Sequence, residues 1–267
     1  MKLRNVFAVA VLLIQFFSSS HFAQMPLHPS MAKKNDVNSK HYRAKQLSKM
    51  KDWKKKGINA PWTEISTSIQ RSRANGFQRS YGPVKTPSGN WKALVLLVQF
   101  SDKPSQVPAL SIDNLLFSQQ SGTLWDYYKK VSYGTLDIVT VNLPSSLGWY
   151  SATQPYSYYV DGQNGFGAYP KNVQKIVEEV VILADPFVNY SQYDNDGNGY
   201  VDALFVVHTG PGAEYTGNDN DIWSHAWTTY NVLNVDGVKV WRYSMEPEYW
   251  ASPGDMTIGV YAHELGH

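Results

Sequence analysis

The sequence predicts an α+β domain, and three observations carry that expectation. The run Ala93-Leu94-Val95-Leu96-Leu97-Val98-Gln99-Phe100 is short, apolar and rich in branched side chains, and it empties into Ser101-Asp102-Lys103-Pro104. It reads as a buried strand entering a loop. Between Tyr169 and Ala184, the residues Val173, Ile176, Val177, Val180, Val181 and Ala184 recur at the spacing of a helical stripe. The last five residues, His263-Glu264-Leu265-Gly266-His267, read H-E-x-x-H at the end of a second periodic stretch.

Totals bound what such a domain can do. The chain has 267 residues, with nine Trp, eighteen Tyr and no Cys. Length suffices for one or two domains with a sizeable core. The absence of cysteine excludes disulfides, thiolate metal sites and cysteine nucleophiles. A net charge of +2 conceals opposed halves. Residues 25–90 carry 14 Lys and Arg against 3 Asp and Glu, and residues 91–267 carry 8 against 19. A basic arm joined to an acidic domain is the expected organisation.

In chain order, residues 1–24 have the form of a signal peptide. Lys2 and Arg4 precede an apolar run from Val6 to Phe17, broken only by Gln15, and then come Ser18-Ser19-Ser20 and Ala23. About 12 apolar residues are too few to cross a bilayer, so no stable membrane anchor is expected and the chain is read as secreted. Residues 25–90 hold the clusters Lys33-Lys34 and Lys54-Lys55-Lys56, with a helix expected from His41 to Lys55 and no stable core. Basicity of this kind suits a nucleic-acid arm or a solvated linker. On an exported chain ahead of an acidic domain, a basic propeptide held partly by charge is the better reading, with no nucleic-acid partner.

From Trp91 the composition changes. Leu124 to Val131 reads as a helix stopped by Ser132-Tyr133-Gly134, and Leu136 to Val141 alternates as a strand. The helix from Tyr169 takes Pro170 in its first turn, ends before Pro186, and leaves Lys171, Lys175, Glu178 and Glu179 off its stripe. Asp194-Asn195-Asp196-Gly197-Asn198-Gly199-Tyr200-Val201-Asp202 then places oxygens at alternate positions. Asp194, Asp196, Asn198, the Tyr200 carbonyl and Asp202 match positions 1, 3, 5, 7 and 9 of a calcium loop, with Gly199 at position 6. Phe205 stands where the bidentate glutamate would be, so this is no EF-hand. Structural Ca²⁺ is favoured over a polar Asx-rich turn.

Ala203 to Val207 reads as a strand and His208 to Glu214 as a glycine-containing loop. Asn218-Asp219-Asn220-Asp221 suits a second cation site or a solvated loop. His208 and His225 are expected to be structural histidines. Asp236-Gly237 should turn a hairpin whose arms are Val232 to Val235 and Val238 to Tyr243. Asp255 is the expected N-cap of the last helix, whose stripe is Ile258, Tyr261, Ala262 and Leu265.

On that helix, His263 and His267 stand four apart and so share a face. Both imidazoles could ligate one Zn²⁺, with Glu264 on their flank as general base towards an activated water. The alternative is a helix end with two solvent-facing histidines.

Ala93–Asp102, Tyr127–Leu136, Tyr193–Gly212, Asp221–Trp227 and Val260–His267 together resemble the immune inhibitor A family of secreted zinc metallopeptidases, which is metzincin-like. The resemblance runs from about Trp91 to His267. It implies a twisted, mostly parallel sheet with helices, the N-terminal subdomain of a peptidase whose active-site helix closes this stretch. It also implies a zinc endopeptidase that acts on proteins or peptides, made as a zymogen with its own basic propeptide, with calcium supporting the fold. The ligand role falls to His263 and His267 and the base role to Glu264.

In the family a third zinc ligand and a Met-containing turn follow the motif. Residues 91–267 therefore read as a catalytic domain incomplete at its C-terminus, expected to bind zinc weakly and to be inactive alone. Rival readings are a calcium-dependent secreted binding protein with a vestigial zinc motif, and a zinc amidase.

Overall fold

A computed structural model describes residues 48–59 and 87–266. The proposed signal peptide, most of the proposed propeptide and His267 lie outside the described residues. The α+β architecture and the mostly parallel sheet are as expected. Helical residues 48–55 (α1) come first. Then follow β1 (Gly89–Lys92), β2 (Leu94–Gln99), α2 (Ala109–Phe117), α3 (Leu124–Val131), β3 (Leu136–Val139), α4 (Pro144–Leu147) and β4 (Trp149–Ser151). The chain continues through α5 (Tyr156–Val160), α6 (Val173–Ala184), β5 (Leu204–Pro211), α7 (Ala213–Thr216), β6 (His225–Val235), β7 (Val238–Tyr249) and α8 (Gly259–Leu265).

The main sheet has five strands in the order β4-β2-β5-β7-β6. All neighbours are parallel except β6, which pairs antiparallel with β7 and forms one edge. β1 and β3 make a separate parallel pair. The central strands explain their own composition. In β2, Leu94, Leu96 and Val98 face one core cluster while Val95 and Leu97, with Ala93 just before the strand, face the other. A strand covered on both faces needs an unbroken apolar run, whereas alternation marks a strand with one wet face.

Helix α6 covers one face. All six residues of its predicted stripe are buried, and at roughly 1.5–3 kcal/mol per buried branched side chain this is a major part of the core's stability. It starts at Val173, four residues later than the periodicity from Tyr169 suggests, because the Asn172 side chain accepts a bond from the Lys175 amide and caps it there. Helices α2, α3 and α8 cover the opposite face with Ile112, Leu116, Leu124, Val260 and Tyr261.

Other boundaries shift for local reasons. β5 runs on through His208 to Pro211, with a register irregularity against β7 between those two residues, and Ala213 opens the short helix α7. The segment from His208 to Glu214 is thus strand and helix instead of loop. The β6–β7 hairpin turns at Asp236-Gly237, both left-handed at φ 47° and 77°, as a two-residue turn matched to strand twist requires. Asp255 does not cap α8. Its carboxylate accepts from the amides of Trp250, Ala251 and Ser252 and closes the turn before the helix.

One part of the basic segment has a packing role that composition does not reveal. Trp53 and Ile58 are buried in the α6-side core, with Trp53 edge-on to Phe166 at 4.7 Å and tilted against Trp223 at 5.4 Å. Residues 48–59 thus contribute two side chains to the core of the domain that follows. Five lysines between 49 and 56 mask two large apolar side chains in any composition window.

Candidate active site and metal loop

α8 delivers the H-E-x-x-H stretch to the sheet. Val260, Tyr261 and Glu264 are its buried residues, and His263 is half-buried. Tyr261 and Glu264 stand three apart, so the packing that seats Tyr261 also turns Glu264 inward. Glu264 therefore lies on the buried face, 2% exposed, instead of on the flank that periodicity suggests. Gly266 keeps right-handed helical dihedrals (φ −70°, ψ −15°), and its amide reaches back to the carbonyls of Ala262 and His263. The helical spacing that would stack His267 over His263 thus persists up to the residue before His267, and the donor set suits zinc.

Around Glu264 the sheet supplies acid and amide. Ala226 lies on the edge strand β6, and its amide faces the Glu264 carboxyl. Burial lifts that carboxyl well above the ordinary carboxylate range, the charge of Glu214 lifts it further, and the Ala226 amide opposes both. Glu246 on β7 pairs in register with Val207 of the α8-side core, so its side chain points to the α8 face. It is fully buried, and neither oxygen has a hydrogen-bond partner at normal geometry. Burial again raises its pKa well above the usual range; the Ser244 hydroxyl lowers it, and Glu264 and Glu214 raise it. Glu214 is held by Ser224, whose amide and hydroxyl both donate to it. Its pKa is raised, by burial first.

Sequence reasoning missed Glu214 and Glu246. Ser244, Glu246 and Glu248 alternate with Tyr243, Met245 and Pro247, and such alternation normally marks a solvent-facing row. Glu248 is instead a structural acceptor for the amides of Gln106, Val107 and Gly210.

The two central histidines are structural, as expected. His225 places Nδ1 against the Trp223 carbonyl at 2.7 Å and Nε2 against the Tyr243 hydroxyl at 3.1 Å. His208 places Nδ1 against the Thr209 carbonyl. Burial holds both imidazoles neutral, with pKa values lowered to about 3.

The candidate calcium residues gather at the far end of the chain's central region. Asp194, Asp196 and Asp202 bring ligand oxygens within 4.8 Å of one another. Asp194 accepts from the amides of Asn198 and Gly199, and Asn198 donates its Nδ2 to Asp196. The Asn198 oxygen accepts from the Tyr200 amide. Asn195 ties the loop to β1 through both polar groups of Lys92. Burial, with the charges of Asp196 and Asp194, raises the Asp202 carboxyl to about 7, against the opposing Asn195 amide. Asn218 to Asp221 does not gather as a metal cluster among the described residues; Asp221 pairs with Lys103 at 3.1 Å.

Comparison with known proteins agrees with this layout. Over 166 residues the chain is 30% identical to "Immune inhibitor A" of Bacillus thuringiensis subsp. alesti, covering 54% of this chain and 24% of that protein. The chain thus spans about a quarter of the length of that relative. Among the described residues, no helix is long and apolar enough to cross a membrane. Residues 114–267 match the family described as "Immune inhibitor A peptidase M6, catalytic domain", and the chain belongs to that family.

Proposed function

We propose that the chain carries the N-terminal part of a secreted, zinc-dependent endopeptidase, made with a signal peptide (1–24) and a basic propeptide (25–90). The observation that carries this reading is the seating of Glu264. It is one residue from His263 on α8, packed on the sheet and facing the amide of edge residue Ala226. His263 and His267 would hold Zn²⁺, which when bound polarises a carbonyl and acidifies a water. Glu264 takes the proton from that water and delivers it to the leaving amine. The outer strand β6 offers backbone groups to an extended peptide, which favours a protein or peptide substrate over a cell-wall amide.

The test uses the protein as it is naturally produced. Glu264→Gln is expected to keep zinc content unchanged and to abolish cleavage of casein, a loss of at least about a thousandfold. Retained cleavage in that variant sinks the assignment. Casein cleavage that survives a zinc chelator favours the binding-protein reading with an unrelated activity.

We also propose that Asp194, Asp196, Asn198, the Tyr200 carbonyl and Asp202 form a structural Ca²⁺ site. The convergence of three carboxylates on a glycine-permitted turn supports it. Gly197 and Gly199 both adopt left-handed φ, 76° and 83°, which a side chain would strain. Saturating calcium is expected to raise the melting temperature by several degrees, as about 2–3 kcal/mol of binding linkage provides. Asp194→Asn should remove most of that shift, and an identical melting temperature with calcium and with chelator contradicts the site.

A further inference from the structure

The helix that carries His263 and Glu264 draws little support from its own sequence. α8 has seven residues, a length at which a helix is not stable without tertiary contacts. No side chain caps its N-terminus, where Ile258 already has right-handed helical dihedrals. Val260 and Tyr261 seat its buried face, but apolar packing is non-directional and does not by itself fix a peptide plane. A directional contact has to come from another element.

Tyr128 on α3 supplies it. Its hydroxyl donates to the Ala262 carbonyl at 3.0 Å, across a sequence separation of 134 residues. The Ala262 carbonyl and the His263 amide belong to one rigid peptide plane, so a bond to the first also holds the backbone from which the His263 imidazole projects. The same carbonyl accepts from the Gly266 amide at 3.3 Å, in the turn that leads towards His267. The donor is itself well anchored. The Tyr128 ring packs against the α8-side core and stands edge-on to Tyr127 at 5.2 Å. Thr123 caps α3, and Lys129, the next residue after Tyr128, pairs with Asp137 of β3 at 2.8 Å. Burial first, and then the charge of Tyr127, raises the Tyr128 pKa, so the phenol stays a donor at neutral pH.

We propose that Tyr128 is a positioning residue for the metal site, its hydroxyl fixing the Ala262–His263 peptide plane so that His263 meets zinc already oriented. The proposal rests on the zinc peptidase reading of α8. It adds a residue that touches neither metal nor substrate and stands on a different helix. It also gives the Tyr127–Leu136 stretch a part in the chemistry. A ligand oriented in advance has less to order when the metal arrives, so loss of this bond should appear first in zinc affinity. A purely structural bond would instead stabilise the zinc-free and zinc-bound forms alike.

The test compares Tyr128→Phe with the parent protein, both as naturally produced. Zinc affinity is read by competition with a chromogenic chelator, and activity by hydrolysis of an unstructured fluorogenic peptide mixture. Phenylalanine keeps the ring and removes only the hydroxyl. The zinc dissociation constant should rise about fivefold to tenfold, and excess zinc should restore most of the hydrolysis. Tyr127→Phe, at the exposed neighbouring ring, should leave the zinc constant unchanged. A lower urea midpoint in Tyr128→Phe with an unaltered zinc constant overturns the proposal and makes the bond scaffold. An equal loss of zinc affinity in Tyr127→Phe overturns it too, because the effect would then not belong to the Tyr128 hydroxyl. A parent protein that binds no zinc sinks the peptidase reading, and the role of Tyr128 falls with it. Tight and equal zinc binding in parent and Tyr128→Phe sinks the role of Tyr128 alone.

Discussion

The two faces of the main sheet bury glutamates in opposite ways. On the α6 face, Glu178 is 4% exposed, yet its carboxylate accepts from the Asn231 amide at 2.7 Å, from the Asn231 side chain and from the Tyr169 hydroxyl. On the α8 face, Glu246 is buried without such donors and has Glu264 and Glu214 for electrostatic neighbours. A buried carboxylate with donors is part of the scaffold, whereas one without donors costs stability. The face that carries the proposed chemistry is the one that tolerates this cost. Substitutions on the two faces should therefore move stability in opposite directions.

The larger effect belongs to the α6 face. Phe166 is 1% exposed and packs edge-on against Trp53 and His225, each at a ring separation of 4.7 Å. Phe166→Ala leaves a cavity bounded by rigid rings that cannot collapse. It should destabilise the chain by roughly 3–5 kcal/mol, read from the shift in urea midpoint. A loss under about 1 kcal/mol would mean that the aromatic notch relaxes freely, and the view of this face as tight scaffold would fall.

Much of that scaffold was legible in the sequence. The α6 stripe, the β2 run and the Asp236-Gly237 turn are local patterns, each set by the backbone's own period or by left-handed φ, and each appears as predicted. The H-E-x-x-H helix was legible too. Its surroundings were not, because they depend on pairings distant in sequence. Nothing local marks Glu246 as buried, since only the coverage of β7 by α8 decides which row of that strand meets water. Nothing in a lysine-rich strip marks Asn59 as the partner of Ala226, 167 residues away. The metal loop is intermediate: its oxygen spacing is local, but the turning of the Asn198 oxygen towards the Tyr200 amide is a structural detail that spacing does not specify.

The smaller effect, and the sharper one, is on the α8 face. Glu246→Gln keeps the shape of the side chain and removes its charge. The folded chain raises the pKa of Glu246, first by burial, so between about pH 4.3 and that raised value the folded form retains a proton that the unfolded form has released. The glutamate's contribution to stability therefore declines as pH rises through this window, and glutamine has no such decline. Near pH 4 the two proteins should unfold at similar urea concentrations. By pH 7 the glutamine variant should be the more stable, with the gap widening steadily in between. A gap of the opposite sign, or one that does not change with pH, would mean that Glu246 has donors like those of Glu178, and the contrast between the faces would disappear.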